Sequence, residues 1–166
     1  IIPLMKKLQH ALLIVLAAIT MASCGNDVIY NETRTFDNET WLRQQPETFD
    51  FEVSNIEDCY NIYVTFRLDT ADLRGNDLPL INNLSTEEGE RRMWYGSIHL
   101  RNADGTWLHK LEGKYVVGEQ KIREYFFFNA KGKHSLEIGQ GTSRYEIHGV
   151  GSFGVRIEKA KLVYPE

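Results

Sequence analysis

The chemistry most clearly specified in this chain is at Cys24. Lys6 and Lys7 precede an apolar run from Ala11 to Ile19, and Met21-Ala22-Ser23-Cys24 follows it. A basic segment, a short apolar segment and a small-residue zone in that order form an export signal. The apolar run is well short of the ~20 residues a membrane-spanning helix needs. A cysteine directly after Ala-Ser resembles a bacterial lipobox, in which the thiol receives diacylglycerol and the chain is cut just before it. Met21 stands where that pattern usually has leucine. Ile1 to Leu4 precede Met5, which reads as the natural start. The expected organisation is a signal peptide over 1–23, a lipid-anchored spacer over 24–27 and one folded domain over 28–166.

The other candidates offer less chemistry. Asp69-Thr70-Ala71 fits a three-residue bacterial O-glycosylation pattern in a loop setting, with Thr70 as the acceptor. Asp69, Asp72, Asn76 and Asp77 make that loop oxygen-rich, as calcium loops are, but the spacing is not an EF-hand and these residues also form turns. His99, His109, His134 and His148 lack zinc-binding spacing; His99 and His109 flank one proposed hairpin, and two ligands do not complete a zinc site. Gly149-Val-Gly151-Ser-Phe-Gly154 spells G-x-G-x-x-G, but a strand follows it where a dinucleotide site needs a helix, so the glycines read as a turn or bulge. Cys59 reads as a small buried hydrophobe. No nucleophile elbow, Ser-His-Asp order or tight carboxylate pair stands out. The expectation is a protein that is not an enzyme, with no catalytic residue, metal or cofactor.

These residues must be positioned by strands. Val28 to Phe36 reads as the first, with Asp37-Asn38 turning and Trp41 in a polar segment. Phe49, Phe51 and Val53 alternate with acids, and Tyr60, Ile62, Val64 and Phe66 alternate with polar residues. The two runs are expected to pair as a hairpin. Leu68 to Asn83 reads as irregular, and Ser85 to Glu88 as a single helical turn. Met93 to Leu100 and Trp107 to Val117 form an expected hairpin about Asp104-Gly105, broken at Gly118. Strands follow over Ile122 to Phe128 and about His134, Leu136 and Ile138. Gly139-Gln140-Gly141 reads as a turn. The last strand carries Phe153, Val155 and Ile157, with a phase shift toward Leu162 and Tyr164 that a bulge near Lys159 or Ala160 would explain. Eight or nine short strands without helical periodicity predict an all-β, single antiparallel β-sandwich, jelly-roll-like. Trp41, Trp94, Trp107, Tyr95, Tyr125 and Phe127 include outward-phased rings that could stack on sugars or on a protein, with Trp94 assigned to the core.

Composition sets the outer limits. Roughly 140 residues after cleavage suffice for one core without staples. The net charge is −4 with both signs scattered along the chain. No basic stripe marks a nucleic-acid partner. With lipid on Cys24, Cys59 has no partner for a disulfide.

Several segments together resemble one family. They are Phe36-Asp-Asn-Glu-Thr-Trp41, Phe49-Asp-Phe-Glu-Val53, Tyr60-Asn-Ile-Tyr-Val-Thr-Phe-Arg67, Asn83-Leu84, Asp104-Gly-Thr-Trp107-Leu and Gly149-Val-Gly-Ser-Phe-Gly-Val-Arg-Ile-Glu-Lys159. In this order, behind a lipobox, they resemble the GldH family of gliding-motility lipoproteins from Bacteroidota. The chain departs from that pattern at Leu78 to Leu80, where an aromatic-Pro-aromatic run is expected, and it lacks glycines soon after Trp107. The resemblance implies a divergent member: a cell-envelope lipoprotein linked to gliding motility, palmitate-type acylated, with other envelope proteins as partners and no catalytic residues; Gly25 after the cysteine, with no acid immediately next, favours sorting to the outer membrane. The alternative is a surface carbohydrate-binding module using exposed aromatics, so a glycan partner stays open. A small hydrolase is the third reading, and it would need a cleft with converging polar groups.

Overall fold

The computed structural model describes residues 27–162. Its strands are β1 (Val28–Thr35), β2 (Trp41–Leu42), β3 (Glu47–Val53), β4 (Tyr60–Asp69), β5 (Asp77–Thr86), β6 (Arg91–His99), β7 (Lys110–Glu112), β8 (Tyr115–Phe126), β9 (Gly132–Gln140), β10 (Glu146–Ile147) and β11 (Val150–Lys159). A five-stranded sheet has the order β1-β11-β4-β8-β7, and a four-stranded sheet has the order β3-β9-β5-β6. A small β2-β10 pair lies apart from them. All pairings are antiparallel. The chain alternates between the sheets, so β1, β11, β4 and β8 face β3, β9, β5 and β6, the order of a jelly roll. The fold is the antiparallel sandwich the strand pattern predicts.

The hairpin expected between β3 and β4 does not form. β3 pairs with β9, and β4 pairs with β11 and β8. Alternation correctly buries Phe49, Phe51, Val53, Ile62, Val64 and Phe66, but it reports which face is inward and not which strand is the neighbour. The residues between the two strands cross from one sheet to the other, with Asn55 Nδ2 donating to Asp58 Oδ2 (2.9 Å) and Tyr60 Oη donating to Asn55 O (2.7 Å).

Other local expectations also give way to tertiary pairing. Leu68 to Asn83 is not irregular: β4 runs to Asp69, and Leu78, Leu80 and Asn82 are buried within β5. Pro79 fits there because the β5–β9 ladder begins only at Leu80. Ser85 and Thr86 end β5, and the Thr86–Glu90 segment is a hairpin turn with Gly89 at φ +89 instead of a helical turn. The Asp104-Gly105 turn closes only the Arg101–Trp107 bridge. The chain then crosses to the other sheet, and β7 turns at Gly113 to pair with β8. Gly118 does not break its strand; a Cβ there would fall 2.5 Å from His109 Nδ1, so glycine admits that ring. Gly139 and Gln140 lie inside β9. The irregularity in β11 falls between Val150 and Ser152 opposite β4, not at Lys159 or Ala160. Tyr164 lies outside the described residues.

Two aromatic groups fill the space between the sheets. Trp41, placed by the sequence pattern in a polar segment, is fully buried. Its ring packs 4.9 Å from that of Phe153, and its Nε1–H donates to Gln45 O (3.2 Å). Toward the other end Phe128 meets Phe51, Tyr60, Phe126 and His134. The sheet margins are sealed by side chains. Arg34 Nη2 donates to Thr48 O (2.9 Å) between β1 and β3. On β8, Gln120 Nε2 donates to Ser97 O (2.6 Å) and its Oε1 accepts from His99 N (2.7 Å), so one amide side chain occupies the open edge of β6 as a neighbouring backbone would.

At Gly154 two neighbouring strands close in on the backbone of β11. A Cβ there would lie 2.6 Å from Glu32 O, 2.6 Å from Thr65 Oγ1 and 2.7 Å from Thr33 Oγ1. Gly154→Ala is expected to destabilise the domain by about 1–3 kcal/mol through overpacking, lowering the urea midpoint at unchanged slope. At Gly139 an added Cβ would meet only Pro46 Cβ at 3.6 Å, so Gly139→Ala should be neutral or stabilising by up to about 1 kcal/mol.

Candidate functional site

The strand directions give the sandwich two distinct poles. β4 rises from Tyr60 to Asp69, a length of about 30 Å. At its first residue lies the pole where the chain enters: Lys159 N donates to Asp27 O (2.7 Å) and Ala160 N donates to Cys59 O (2.9 Å). Cys24 lies outside the described residues, three positions before Asp27. At the other end of β4 is Thr70. Thr70 and Asp27 thus lie at opposite poles.

Thr70 is held in a compact turn. Its backbone N–H and its hydroxyl both donate to Lys114 O, at 2.9 and 3.1 Å. Asp69 Oδ1 accepts from Ala71 N (3.0 Å), and Lys114 Nζ approaches Asp69 Oδ2 at 3.1 Å. The Ala71 amide first, and Lys114 second, hold the Asp69 carboxyl below the ordinary carboxylate range. Gly149 closes over this turn: its φ is +79, and a Cβ would fall 2.6 Å from Asp69 Cβ.

The oxygen-rich loop does not converge on a metal. Asp69 turns to Lys114, and Asp77 Oδ1 pairs with His99 Nδ1 at 2.6 Å. No group of three metal-ligating side chains occurs among the described residues. His99 and His109 do lie close together, but through ring and backbone: His109 Nε2 lies 2.8 Å from His99 O. His148 lies beside Thr40 and Glu146, and His134 is buried against Phe51. A cleft of about 430 Å³ opens at the Thr70 pole, with Arg74, Asp77, Arg144 and His148 on its walls. Fully buried Gln140 shapes that wall; its Nε2 donates to Arg144 O (3.1 Å) and its Oε1 accepts from Thr142 N (2.9 Å).

The aromatics separate into core and surface. Trp41 and Trp94 are buried, and half-buried Trp107 lies under Arg101, whose guanidinium carbon is 4.1 Å from the ring centroid. Tyr95 is 74% exposed and stands beside Met93, 62% exposed, on the outer face of β6. Tyr125 and Phe127, 44% and 51% exposed, lie at the end of β8 and just beyond it, at the Asp27 pole. No ring contact joins Tyr95, Tyr125 and Phe127 among the described residues. The exposed rings form two separate surfaces; Trp94 is in the core as its phase indicates, and Trp41, grouped with the outward rings, is in the core as well. Positive φ at Tyr125 and the lining of the Asp27 pole had no counterpart in the sequence pattern.

With this geometry in place, comparison with known proteins decides membership. The GldH lipoprotein family model matches residues 28–157, nearly the whole sandwich. The chain belongs to the GldH lipoprotein family. No curated protein matches the sequence. Among solved structures, a fructofuranosidase from Schwanniomyces occidentalis complexed with fructose is similar at 9% identity and TM-score 0.40, over 81% of this chain and 34% of that one. A complex of Aeromonas sobria serine protease with its chaperone is similar at 12% identity and TM-score 0.37, over 87% of this chain and 30% of that one. The Eiger TNF structure from S. frugiperda is similar at 11% identity and TM-score 0.35, over 82% of this chain and 89% of that one. This chain spans about a third of the length of the first two. Scores this low bear on no function.

The Asp69 turn yields a signed pH prediction. A carboxylate held low in the folded state adds stability that is complete above its unfolded pKa of about 3.9 and is lost as pH falls through the folded value. Asp69→Asn is expected to lower stability at neutral pH. The difference from the parent should shrink as pH drops below about 4, measured by urea unfolding across pH.

Proposed function

We propose that this protein is a non-enzymatic, lipid-anchored component of the cell envelope, held on the outer membrane through acylated Cys24, that supports an envelope complex of the gliding-motility kind by protein contacts. The observation that carries the reading is the position of the family match. It begins at residue 28, four residues after the cysteine of the lipobox. A folded binding body thus starts almost at the proposed lipid. One acyl chain binds a membrane only marginally, whereas several chains on one cysteine give a stable tether.

The surface best suited to a protein contact is the outer face of β6. Tyr95 and Met93 stand there beside Ile81 and Asn83 of β5, their partners across the ladder. This places an apolar, weakly charged strip at mid-height on the domain, away from both poles. Thr70, at the pole opposite Asp27, is proposed as an O-glycan acceptor facing away from the membrane. A glycan there would require its hydroxyl to leave Lys114 O.

Cys24→Ala is expected to move the protein from the membrane fraction to the soluble fraction, and continued membrane fractionation of that variant contradicts the anchor. Tyr95→Ala is expected to leave fractionation unchanged and to reduce co-purification of envelope proteins with the tagged lipoprotein several-fold. Co-purifying polysaccharide lost in the same variant would favour the carbohydrate-binding alternative.

A further inference from the structure

The Asp27 pole carries features that neither the core nor a protein contact at β6 uses. Tyr125 adopts φ 48, a left-handed conformation that is uncommon outside glycine and strained for a bulky residue. It lies within the register shift opposite Tyr60/Ile62, one of two successive shifts between β4 and β8, the other being at Ile62/Tyr63. Bulges of this kind re-aim side chains. The distorted backbone is secured in place: Tyr125 N donates to Asn61 Oδ1 (3.1 Å), and Asn61 is itself buried. Two residues on, Phe127 O accepts from Arg92 Nη1 (3.2 Å). The outcome is a fixed connector that holds Tyr125 and Phe127 out of the core while Phe126 and Phe128 pack inward against each other at 5.0 Å. Exposed Val28 and Leu162 lie at the two chain ends of the same pole.

The length of the tether says what this surface meets. Three Cα–Cα steps separate Cys24 from Asp27, which limits their separation to about 11 Å. The headgroup layer on each side of a bilayer is itself on the order of 5–8 Å thick. A lipidated Cys24 therefore brings Asp27 to the headgroups. With it come the residues that line the same cleft: Tyr125, Lys121, Glu124, Glu158, Lys159 and Lys161. Tyrosine and lysine suit this boundary, because each has an apolar body and a polar tip. The cleft's three lysines are matched by Asp27, Glu124 and Glu158. Lys121 pairs with Glu124 at 2.8 Å, and Lys159 pairs with Asp58 at 2.7 Å. The charge balance leaves the rings as the attractive element and removes any need for anionic lipid.

We infer that the Asp27 pole is a membrane-docking face, in which Tyr125 and Phe127 insert at the headgroup–acyl boundary of the bilayer that holds the lipid of Cys24. The domain then stands with β4 and its neighbours directed away from the membrane, Thr70 and the Arg74–Arg144 cleft are outermost, and the Tyr95 strip is open to the side. The inference rests on the lipid-anchor reading of Cys24.

The test uses the full-length lipidated protein in phosphatidylcholine vesicles, with a nitroxide on Phe127→Cys and, separately, on Ala103→Cys in the opposite-pole turn. Cys59 is buried, and the parent chain treated with the same reagent supplies the blank. Docking predicts that the ratio of oxygen to nickel-complex collision rates at 127 exceeds that at 103 by at least threefold, and that this excess persists in high salt. Equal ratios at the two positions in vesicle-bound protein overturn docking and leave the anchor intact, as does a label at 127 shielded from both relaxants. Protein that fails to co-float with vesicles and shows no acyl mass refutes the anchor, and docking with it.

Discussion

The domain depends on the pairing of β11 between β1 and β4. This last strand lies second in the five-stranded sheet, between the opening strand β1 on one side and the central β4 on the other. The close approach is possible because residue 154 has no side chain where the carbonyl of Glu32 and the hydroxyls of Thr33 and Thr65 converge. Phe153, its neighbour, points the other way and joins Trp41 and Phe49 between the sheets. One strand thus fixes the outer-face spacing and the inner-face packing together. It also brings Asp27 to Lys159, so the point at which the chain leaves the fold is part of the sheet and its direction is fixed.

That constraint turns a sequence motif into an orientation. A lipid on Cys24 would otherwise say only that the domain is near a membrane. With Asp27 held at one end of the strands and only a few residues between, a lipid on Cys24 would give the domain a near pole and a far pole. The features outside the core sort along this axis. The exposed rings of Tyr125 and Phe127 and the paired lysines are near, the Tyr95 and Met93 strip is at mid-height, and Thr70 and the cleft beside Arg144 are far. On the proposed reading, a domain arranged in this way would meet a membrane, a partner alongside and the space beyond on three separate surfaces.

Much of the fold was legible in the sequence, because a period of two reports burial directly. Phe49, Phe51 and Val53 of β3, Tyr60, Ile62, Val64 and Phe66 of β4, and Phe153, Val155 and Ile157 of β11 all lie on the buried face that their alternation indicates. Strand partners were not legible, since the pairing of β3 with β9 and of β4 with β11 is decided by contacts far apart in sequence. β5 was missed because Pro79, Asn82 and Asn83 have turn-forming character when read locally. Tertiary burial overrides it: Asn82 is enclosed, with its Nδ2 donating to Trp94 O (3.3 Å). Trp41 was misplaced for a similar reason. Its polar neighbours are exposed while its own ring is the lid on Phe153. At the site level, the turn character of Asp69-Thr70-Ala71 could be read in advance. The Asn61 prop beneath Tyr125 could not, since a left-handed tyrosine leaves no mark in a hydrophobic pattern.

Delivery of this sandwich to a membrane by a covalent lipid on Cys24, as proposed, is decided by intact mass spectrometry of the protein isolated from cells that produce it. A lipid-anchored protein would show a mature chain that begins at Cys24 and carries the added mass of diacylglycerol on that residue, with the preceding residues removed. A chain that retains those residues, or that has a free thiol at Cys24, would contradict it.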